Sequence, residues 1–389
     1  MEFAKRLDNV SGSAIRAIFA LLSQPGMISF AGGNPAPESF PCDDVADIAA
    51  KLIRERGCTV LQYGGTPGIA SLKNTVIEMA GGRGISAEPG NVIITSGSTQ
   101  GIGLAAKTLV NPGDVILVES PTFIGALQTF LAYEADVKGV DMDEQGMDMA
   151  DLEAKIIKHS PKFVYTIPTF QNPSGRTLGT ARRKQMVDIC KKHDVLILED
   201  DPYCDLRYSG EAVPPIKSFD EDDGVIYLMS FSKIISPGLR VGAAIADKRI
   251  IGKYNIAKQG EDLHTSNLSQ EIVDAYMRSG KIEDHIKQIS AQYKEKRDAM
   301  IGKLKAFPKR IRYAVPDGGL FIWLDLPGGA DAMPIFEAAT EKGVAFVPGT
   351  HFYAQGGHEN TMRLNFSMAS LEQIDKGMDI LKEVMAQYI

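Results

Sequence analysis

Cysteine is scarce in this 389-residue chain. The four residues (Cys42, Cys58, Cys190 and Cys204) lie far apart and form no C-x-x-C. That spacing fits neither a disulfide framework nor a zinc site, so the thiols read as reduced. Six scattered histidines give no H-E-x-x-H, which argues against a zinc protease, and no metal is expected. Positive charge is in deficit, with 42 Lys+Arg against 49 Asp+Glu for a net of −7. A nucleic-acid face needs clustered Lys and Arg to neutralise phosphates, and a polybasic membrane anchor needs the same; neither is expected. No apolar run approaches the ~18 residues of a membrane span. The opening Met1-Glu2-Phe3-Ala4-Lys5-Arg6 turns polar and does not read as a secretory signal, so a cytoplasmic location is expected. Repeats and low-complexity segments are lacking too.

What is present is ordinary globular composition, 44% hydrophobic and 23% charged, in a chain long enough to bury a core without staples. Seven short apolar runs read as strands: Asn91–Thr95, Val115–Val118, Val137–Val140, Phe163–Ile167, Val195–Leu198, Val225–Met229 and Val241–Ala246. Several are continuously apolar, as strands buried on both faces should be. Between most of them lie amphipathic stretches such as Ala181–His193, long enough for crossover helices. The alternation points to an α/β protein with a mostly parallel, seven-stranded, doubly wound sheet. In such sheets ligands bind beyond the carboxyl ends of the strands.

The ends differ. Residues 1–45 hold one amphipathic stretch (Ser13–Leu22) and then the loop Gly32-Gly33-Asn34-Pro35-Ala36-Pro37. From about residue 265 a helical pattern runs to about Leu304. Leu320–Leu324, Val344–Val347 and Met362–Phe366 follow as strands, and Leu371–Gln387 as a final helix. The expected division is an N-terminal arm with part of a small domain (1–45), a large domain (46–285) and a C-terminal small α+β domain (286–389).

The most informative stretch runs from Ser230 through Ser232-Lys233 to Pro237-Gly238-Leu239-Arg240. An apolar strand feeds a loop with two hydroxyls, a lysine and an arginine. Hydroxyls and a guanidinium converging on one point suit a dianionic phosphate. A lysine beside that point can form a Schiff base with an aldehyde, and desolvation near another cation keeps its amine partly neutral. For an isolated S-x-S-K an exposed lysine in a polar turn is the better reading; with Pro-Gly-Leu-Arg following, it is not.

Other strand ends carry companions. Glu199-Asp200-Asp201-Pro202-Tyr203 closes an apolar strand with three acids, which are costly to bury unpaired. One of them facing a protonated ring nitrogen would make that ring an electron sink, with Tyr203 free to meet a ring oxygen; a solvated acidic loop is the even-odds alternative. Gln171-Asn172-Pro173-Ser174-Gly175 is ordinary turn chemistry that also fixes an amide at the sheet edge. Ser96-Gly97-Ser98-Thr99 opens a helix whose free N–H groups suit an anion. Phe123, after the next strand, can stack on a flat cofactor, although a lone Phe is more often core. Gly101-Ile102-Gly103-Leu104-Ala105-Ala106, with Glu119 ending the following strand, matches a dinucleotide fingerprint but leaves Lys233 and Arg240 unexplained. Arg363, in the run Thr361–Phe366, needs an anion if it points inward. That anion is an internal acid or a substrate carboxylate.

Together these segments resemble the fold-type I pyridoxal-phosphate aminotransferases of class I/II, most of all the 2-aminoadipate/kynurenine aminotransferase-like branch. Gly32-Gly33-Asn34-Pro35 and Tyr63-Gly64 match as well, so the resemblance covers nearly the whole chain. It implies that Lys233 carries the cofactor and shuttles the proton, and that Asp200 pairs with the pyridine nitrogen. Asn172 and Tyr203 would hold the ring oxygen, and Ser98, Thr99, Ser230, Ser232 and Arg240 the phosphate. Arg363 would take the substrate α-carboxylate, with Gly33 and Asn172 lining that end. Tyr63 would reach the phosphate of a neighbouring subunit, which implies a homodimer with composite sites. Arg16 resembles a residue that recognises the substrate side chain. Phe123 departs from the family, where Tyr usually stacks on the ring, and Thr99 stands where Gln is common.

The expected reaction is transfer of the amino group of an L-amino acid of 2-aminoadipate, aromatic or branched type to a 2-oxo acid, 2-oxoglutarate first among them, by a ping-pong route. Lyase or decarboxylase chemistry on the same cofactor is the first alternative. A nicotinamide-dependent dehydrogenase is another. A non-catalytic effector module, as in some transcription regulators, would carry an N-terminal winged-helix domain, for which the first ~30 residues leave no room.

Overall fold

The computed structural model describes residues 4–7 and 26–389. Arg16 and the stretch Ser13–Leu22 lie outside the described residues.

Strand β1 (Ile28–Ser29) is followed by helices α1 (Cys42–Val60) and α2 (Ala70–Gly82). Then β2 (Val92–Thr95), α3 (Ser98–Leu109), β3 (Val115–Ser120), α4 (Ile124–Ala132) and the hairpin β4 (Asp136–Asp143) and β5 (Gly146–Met147) begin the large sheet. It continues through α5 (Met149–His159), β6 (Phe163–Thr166), α6 (Thr180–Lys192), β7 (Leu196–Asp200), β8 (Val225–Ser230) and β9 (Gly242–Ile245). The seven expected strands all form. The sheet has eight because β5, only two residues long, folds back antiparallel on β4. Strand order is β2-β9-β8-β7-β6-β3-β4-β5. The pairs β8/β7, β7/β6, β6/β3 and β3/β4 are parallel, while β9 runs antiparallel between β2 and β8.

Strands β2, β6 and β8 are buried end to end, as strands covered on both faces should be. Their register lines up the ends that matter. Thr95 and Ser230 both pair with Gly242, and Thr166 pairs with Glu199, so the segments after β2, β6, β7 and β8 all leave one edge of the sheet.

After the sheet come α7 (Lys248–Gln259), α8 (Asn267–Met277) and α9 (Ile282–Leu304). The sequence pattern suggests one continuous helix from about residue 265. The chain instead breaks at Arg278–Lys281, where Gly280 takes φ +77°, a left-handed conformation that ends a helix and favours glycine. Helix α9 then runs through the expected domain boundary at residues 285–286. Beyond it lie β10 (Arg312–Tyr313), β11 (Phe321–Asp325), α10 (Ala332–Glu341), β12 (Val344–Ala345), β13 (Val347–Pro348), β14 (Thr361–Asn365) and α11 (Leu371–Met385).

The expected strand Val344–Val347 is split. Its first half pairs in parallel with β1, and its second half joins the antiparallel sheet β10-β11-β14-β13. The first described strand and the C-terminal third of the chain thus share one layer, with Ile28 and Phe30 donating their N–H groups to the carbonyls of Gly343 and Ala345. Among the described residues no helix is long and apolar enough to cross a membrane.

Candidate active site

The shared sheet edge opens into a cavity of about 410 Å³. Of the residues singled out in the sequence, Gly33, Ser98, Thr99, Phe123, Asn172, Asp200, Tyr203, Ser230, Ser232, Lys233, Arg240 and Arg363 all line it. Tyr63 does not; it stands 78% exposed on the surface.

Lys233 follows β8 in a tight loop, and its Nζ donates to the carbonyl of Gly33 at 2.8 Å. Burial is the main cause that pulls its pKa down to about 8. The charges of Arg240 and Arg363 add to this, and Asp200 opposes it. Arg240 caps the short turn Pro237–Leu239 in the left-handed region at φ +54°, a strained conformation for a side-chain-bearing residue. Its Nη2 donates to the carbonyl of Ser96 at 2.9 Å. Gly97 at φ +83° permits that approach, since a Cβ there would meet Arg240 Nη2 at 2.5 Å. Helix α3 starts immediately after, and its first residues Ser98 and Thr99, whose N–H groups lack intrahelical partners, line the cavity together with Ser230 and Ser232.

Asp200 ends β7 almost fully buried, at 2% exposure. Its Oδ2 accepts from the Tyr165 hydroxyl at 3.0 Å, and its Oδ1 has no partner among the described residues. Burial pushes its pKa up to about 7; the Tyr165 hydrogen bond, the nearby Ser98 hydroxyl and the Lys233 charge act against this, and the neighbouring Asp201 adds to it. The two other acids of the triplet do not line the cavity, although Asp201 Oδ1 too has no partner among the described residues. Glu199 is buried against the N–H groups of Ile216 and Lys217, and Asp201 accepts from the Tyr227 hydroxyl at 2.9 Å.

Asn172 sits in a turn fixed from below by a buried carboxylate. Glu119 accepts from Thr166 Oγ1, the Ile167 N–H and Gln171 Nε2 at 2.8, 3.1 and 3.1 Å. Gln171 in turn accepts the Ser174 N–H. The Asn172–Pro173 peptide is cis. Asn172 Nδ2 faces the Tyr203 hydroxyl at 3.5 Å, and its Oδ1 accepts from Arg363 Nη1 at 2.8 Å. The Arg363 guanidinium carbon lies over the rings of Phe321 and Phe352, 4.4 and 4.9 Å from their centres. Burial lowers its pKa to about 10. It makes no salt bridge with an acid among the described residues, and its Nε is unpartnered. The internal-acid reading of Arg363 is therefore not what the structure contains.

The dinucleotide fingerprint fails on geometry. Gly101 and Gly103 lie inside α3 rather than in the turn before it. Gly101 is there for packing, because a Cβ would press on Leu228 Cδ2 at 2.7 Å. Glu119, the acid that would bind a ribose, is spent on the turn described above.

Comparison with known proteins decides the family. The family model described as aminotransferase class I and II matches residues 25–381. The chain belongs to the class I and II aminotransferases. It is a pyridoxal-phosphate-dependent transaminase. It is 41% identical to aromatic-amino-acid aminotransferase 1 of Thermococcus litoralis, over 99% of this chain and 94% of that one. Its structure is similar to the kynurenine aminotransferase of Pyrococcus horikoshii, solved with PMP, at a TM-score of 0.95 and 40% identity, covering 99% of this chain and 97% of that one. It is also similar to the alpha-aminoadipate aminotransferase of Thermus thermophilus, complexed with N-(5'-phosphopyridoxyl)-L-leucine. There the TM-score is 0.93 and the identity 37%, covering 99% and 97% of the two chains.

The residues of this aminotransferase fit the cofactor its family implies. A buried carboxylate oxygen without a partner is costly unless something cationic meets it, and a protonated ring nitrogen does so. Hydroxyls, free helix N–H groups and Arg240 gathered at one corner suit a dianion. Among the described residues no cluster of His, Cys, Asp and Glu could hold a metal ion.

Tyr165, Ile124, Gln128 and Phe352 of this aminotransferase site were not singled out in the sequence, and Glu119 and Gln171 were read there for other roles; Tyr165, Glu119 and Gln171 act from below the cavity, and Ile124, Gln128, Val347 and Phe352 line it. Tyr165 lies two strand positions from Ile167 on one face of β6 and its extension, a period-two signal that places it toward Asp200. Phe352 and Val347 come from the far end of the chain and carried no local signal.

Proposed function

We propose that the cavity holds pyridoxal phosphate on Lys233. The enzyme then moves the amino group of an L-amino acid to a 2-oxo acid, with 2-oxoglutarate as the expected acceptor, in a ping-pong cycle. The observation that carries this reading is the orphaned, buried Oδ1 of Asp200 in the same cavity as a lysine whose pKa is drawn to about 8. When bound, the cofactor supplies an aldehyde for the amino group and a protonated ring that accepts the electron pair left on the substrate α-carbon. Asp200, recharged by that neighbouring cation, keeps the ring nitrogen protonated. Asn172 Nδ2 and the Tyr203 hydroxyl would hold the ring oxygen, Phe123 would pack on the ring, and Ser98, Thr99, Ser230, Ser232 and Arg240 would hold the phosphate.

Lys233 Nζ would take the proton from the substrate α-carbon and hold it for return in the second half of the transfer. A pKa near the working pH suits both directions of that transfer. Arg363 holds the substrate carboxylate through paired N–H groups, with Gly33 and Asn172 lining that end. Ile124, Val347 and Phe352 line the same cavity with apolar surface, which supports donors of aromatic or branched type; the side-chain carboxylate of an aminoadipate donor would need a cation. Arg16 has the role of meeting the donor side chain.

The same reading includes a homodimer in which Tyr63 reaches the partner's phosphate. The exposure of Tyr63 and of Leu61 at 65% supports it. It also includes the division into residues 1–45, 46–285 and 286–389, and a cytoplasmic location, where exposed thiols such as Cys42 and Cys58 stay reduced.

A panel of L-amino acids with 2-oxoglutarate tests the reaction. Formation of glutamate together with the matching 2-oxo acid is expected. Release of ammonia or carbon dioxide without glutamate would replace transfer by lyase or decarboxylase chemistry.

A further inference from the structure

One fully buried cation is not used by the reaction just described. Lys258, at the end of α7, is 0% exposed and does not line the cavity. Its Nζ faces Gln100 Oε1 at 2.5 Å, Asp262 Oδ1 and Oδ2 at 2.9 and 2.8 Å, and Thr265 Oγ1 at 3.1 Å. An ammonium group has three protons, so four acceptors saturate it and leave none for a ligand.

The acceptors share a second destination, Ser96. Gln100 Oε1 accepts the Ser96 N–H at 2.8 Å, Asp262 Oδ2 lies 2.8 Å from Ser96 Oγ as its acceptor, and Thr265 Oγ1 is 3.1 Å from the same hydroxyl. Gln100 Nε2 closes the cluster by donating to Asp262 Oδ2 at 2.9 Å. The one polar group of Ser96 left over, its carbonyl, takes the Arg240 guanidinium. Every polar group of Ser96 is therefore committed, two to the Lys258 cluster and one to Arg240.

We propose that Lys258 and Asp262 are a positioning pair that fixes Ser96, and through it Ser98, Thr99 and Arg240, in the arrangement that receives the cofactor's phosphate. The inference rests on the phosphate corner described under Proposed function. The loop Ser96–Thr99 is built of small residues, one of them glycine, and fixing such a segment is entropically expensive. An ion pair of opposite charges contributes little net field at the anion, so its effect is geometric. It holds the loop while leaving the Ser98 and Thr99 N–H groups and the remaining N–H groups of Arg240 for the phosphate.

The test compares pyridoxal phosphate with pyridoxal, the same vitamer without its anionic tail, on the full chain. The wild type should bind the phosphorylated form much more tightly. Lys258→Met should lower affinity for pyridoxal phosphate roughly 10- to 100-fold, the size of a lost charged hydrogen bond. It should leave pyridoxal within about twofold, and Asp262→Asn should behave alike. An equal loss for both vitamers would make the pair a folding element only, and no loss for either would remove its role; each overturns the inference. Should Lys258→Met fail to fold, Ser96→Ala keeps the ion pair and removes only its grip on the hydroxyl. A smaller loss, roughly three- to tenfold and confined to the phosphorylated vitamer, is then expected, and its absence overturns the inference as well. A wild type that holds both vitamers equally would sink the phosphate corner itself and the inference with it. A wild type with the preference, matched by variants that retain it in full, would sink the inference alone.

Discussion

Arg363 donates to the Asn172 side-chain oxygen at 2.8 Å across 191 positions of sequence, joining β14 to the turn after β6. The contact ties the small sheet to the large one through a guanidinium whose Nε is unpartnered and which has no acid for company among the described residues. Replacing Arg363 with Ala should therefore lower kcat/KM roughly 10- to 150-fold, mostly through KM, for amino and oxo acids alike. The truncation relieves a buried charge without an ionic partner but strips the donor from Asn172 Oδ1 and the Ala31 carbonyl, so a modest fall in Tm should accompany the rise in KM. Steady-state kinetics and a melting curve check this; a lower Tm with unchanged KM would return Arg363 to a structural role.

Lys233 should show its lowered pKa directly. The amine must be neutral to attack an aldehyde, so capture of pyridoxal phosphate by cofactor-free protein should speed up as pH rises and level off above about 8. A lysine at its ordinary 10.5 would keep accelerating past pH 9. Stopped-flow absorbance from about pH 6 to about pH 10 distinguishes the two.

Asp200 gives a stability signature of opposite sense. Its folded pKa, about 7, lies above its ordinary 3.8, so the folded cofactor-free protein holds a proton that the unfolded chain releases between those values. Folded stability should fall as pH rises from about 4 to about 7. Glu119 and Glu199, also raised to about 7 by burial, contribute the same slope, so the wild-type curve alone does not isolate Asp200. The difference between wild type and Asp200→Asn should shrink toward low pH and grow toward about pH 7. A difference independent of pH would mean that Asp200 titrates normally.

Gly125, in the first turn of α4, makes room for the Phe123 ring, since a Cβ there would meet Phe123 Cζ at 2.5 Å. Alanine is the better helix residue by about 1 kcal/mol, so Gly125→Ala should not destabilise the helix. It should push the ring out of its stacking position and weaken cofactor binding several-fold. A titration with pyridoxal phosphate alongside a melting curve measures both effects. Unchanged affinity would mean that Phe123 does not stack on the ring.

The large sheet was legible in the sequence because its strands are local signals: continuous apolar runs bounded by turn residues. Their ends were less so. The run Val195–Leu198 ends on its last apolar residue, yet β7 extends through Glu199 and Asp200. Glu199 is tolerated there because Ile216 and Lys217 satisfy both its oxygens, whereas Tyr165 meets only one oxygen of Asp200. Lys233, Asp200, Asn172 and Arg240 could be found because each follows a readable strand. Lys258 could not, since its link to Gln100 spans 158 positions and nothing local marks a lysine near a helix end as buried. The two-residue pairing of Ile28–Ser29 with Val344–Ala345 is too short to leave a pattern, and the break at Gly280 shows a single left-handed residue overriding a helical period.

The most direct measurement is to incubate the purified protein with pyridoxal phosphate, reduce it with borohydride and map the modified peptide. The account predicts a yellow protein whose adduct lies on Lys233, and a colourless, unmodified Lys233→Ala variant with no transaminase activity. A colourless wild type, or an adduct on any other lysine, contradicts it.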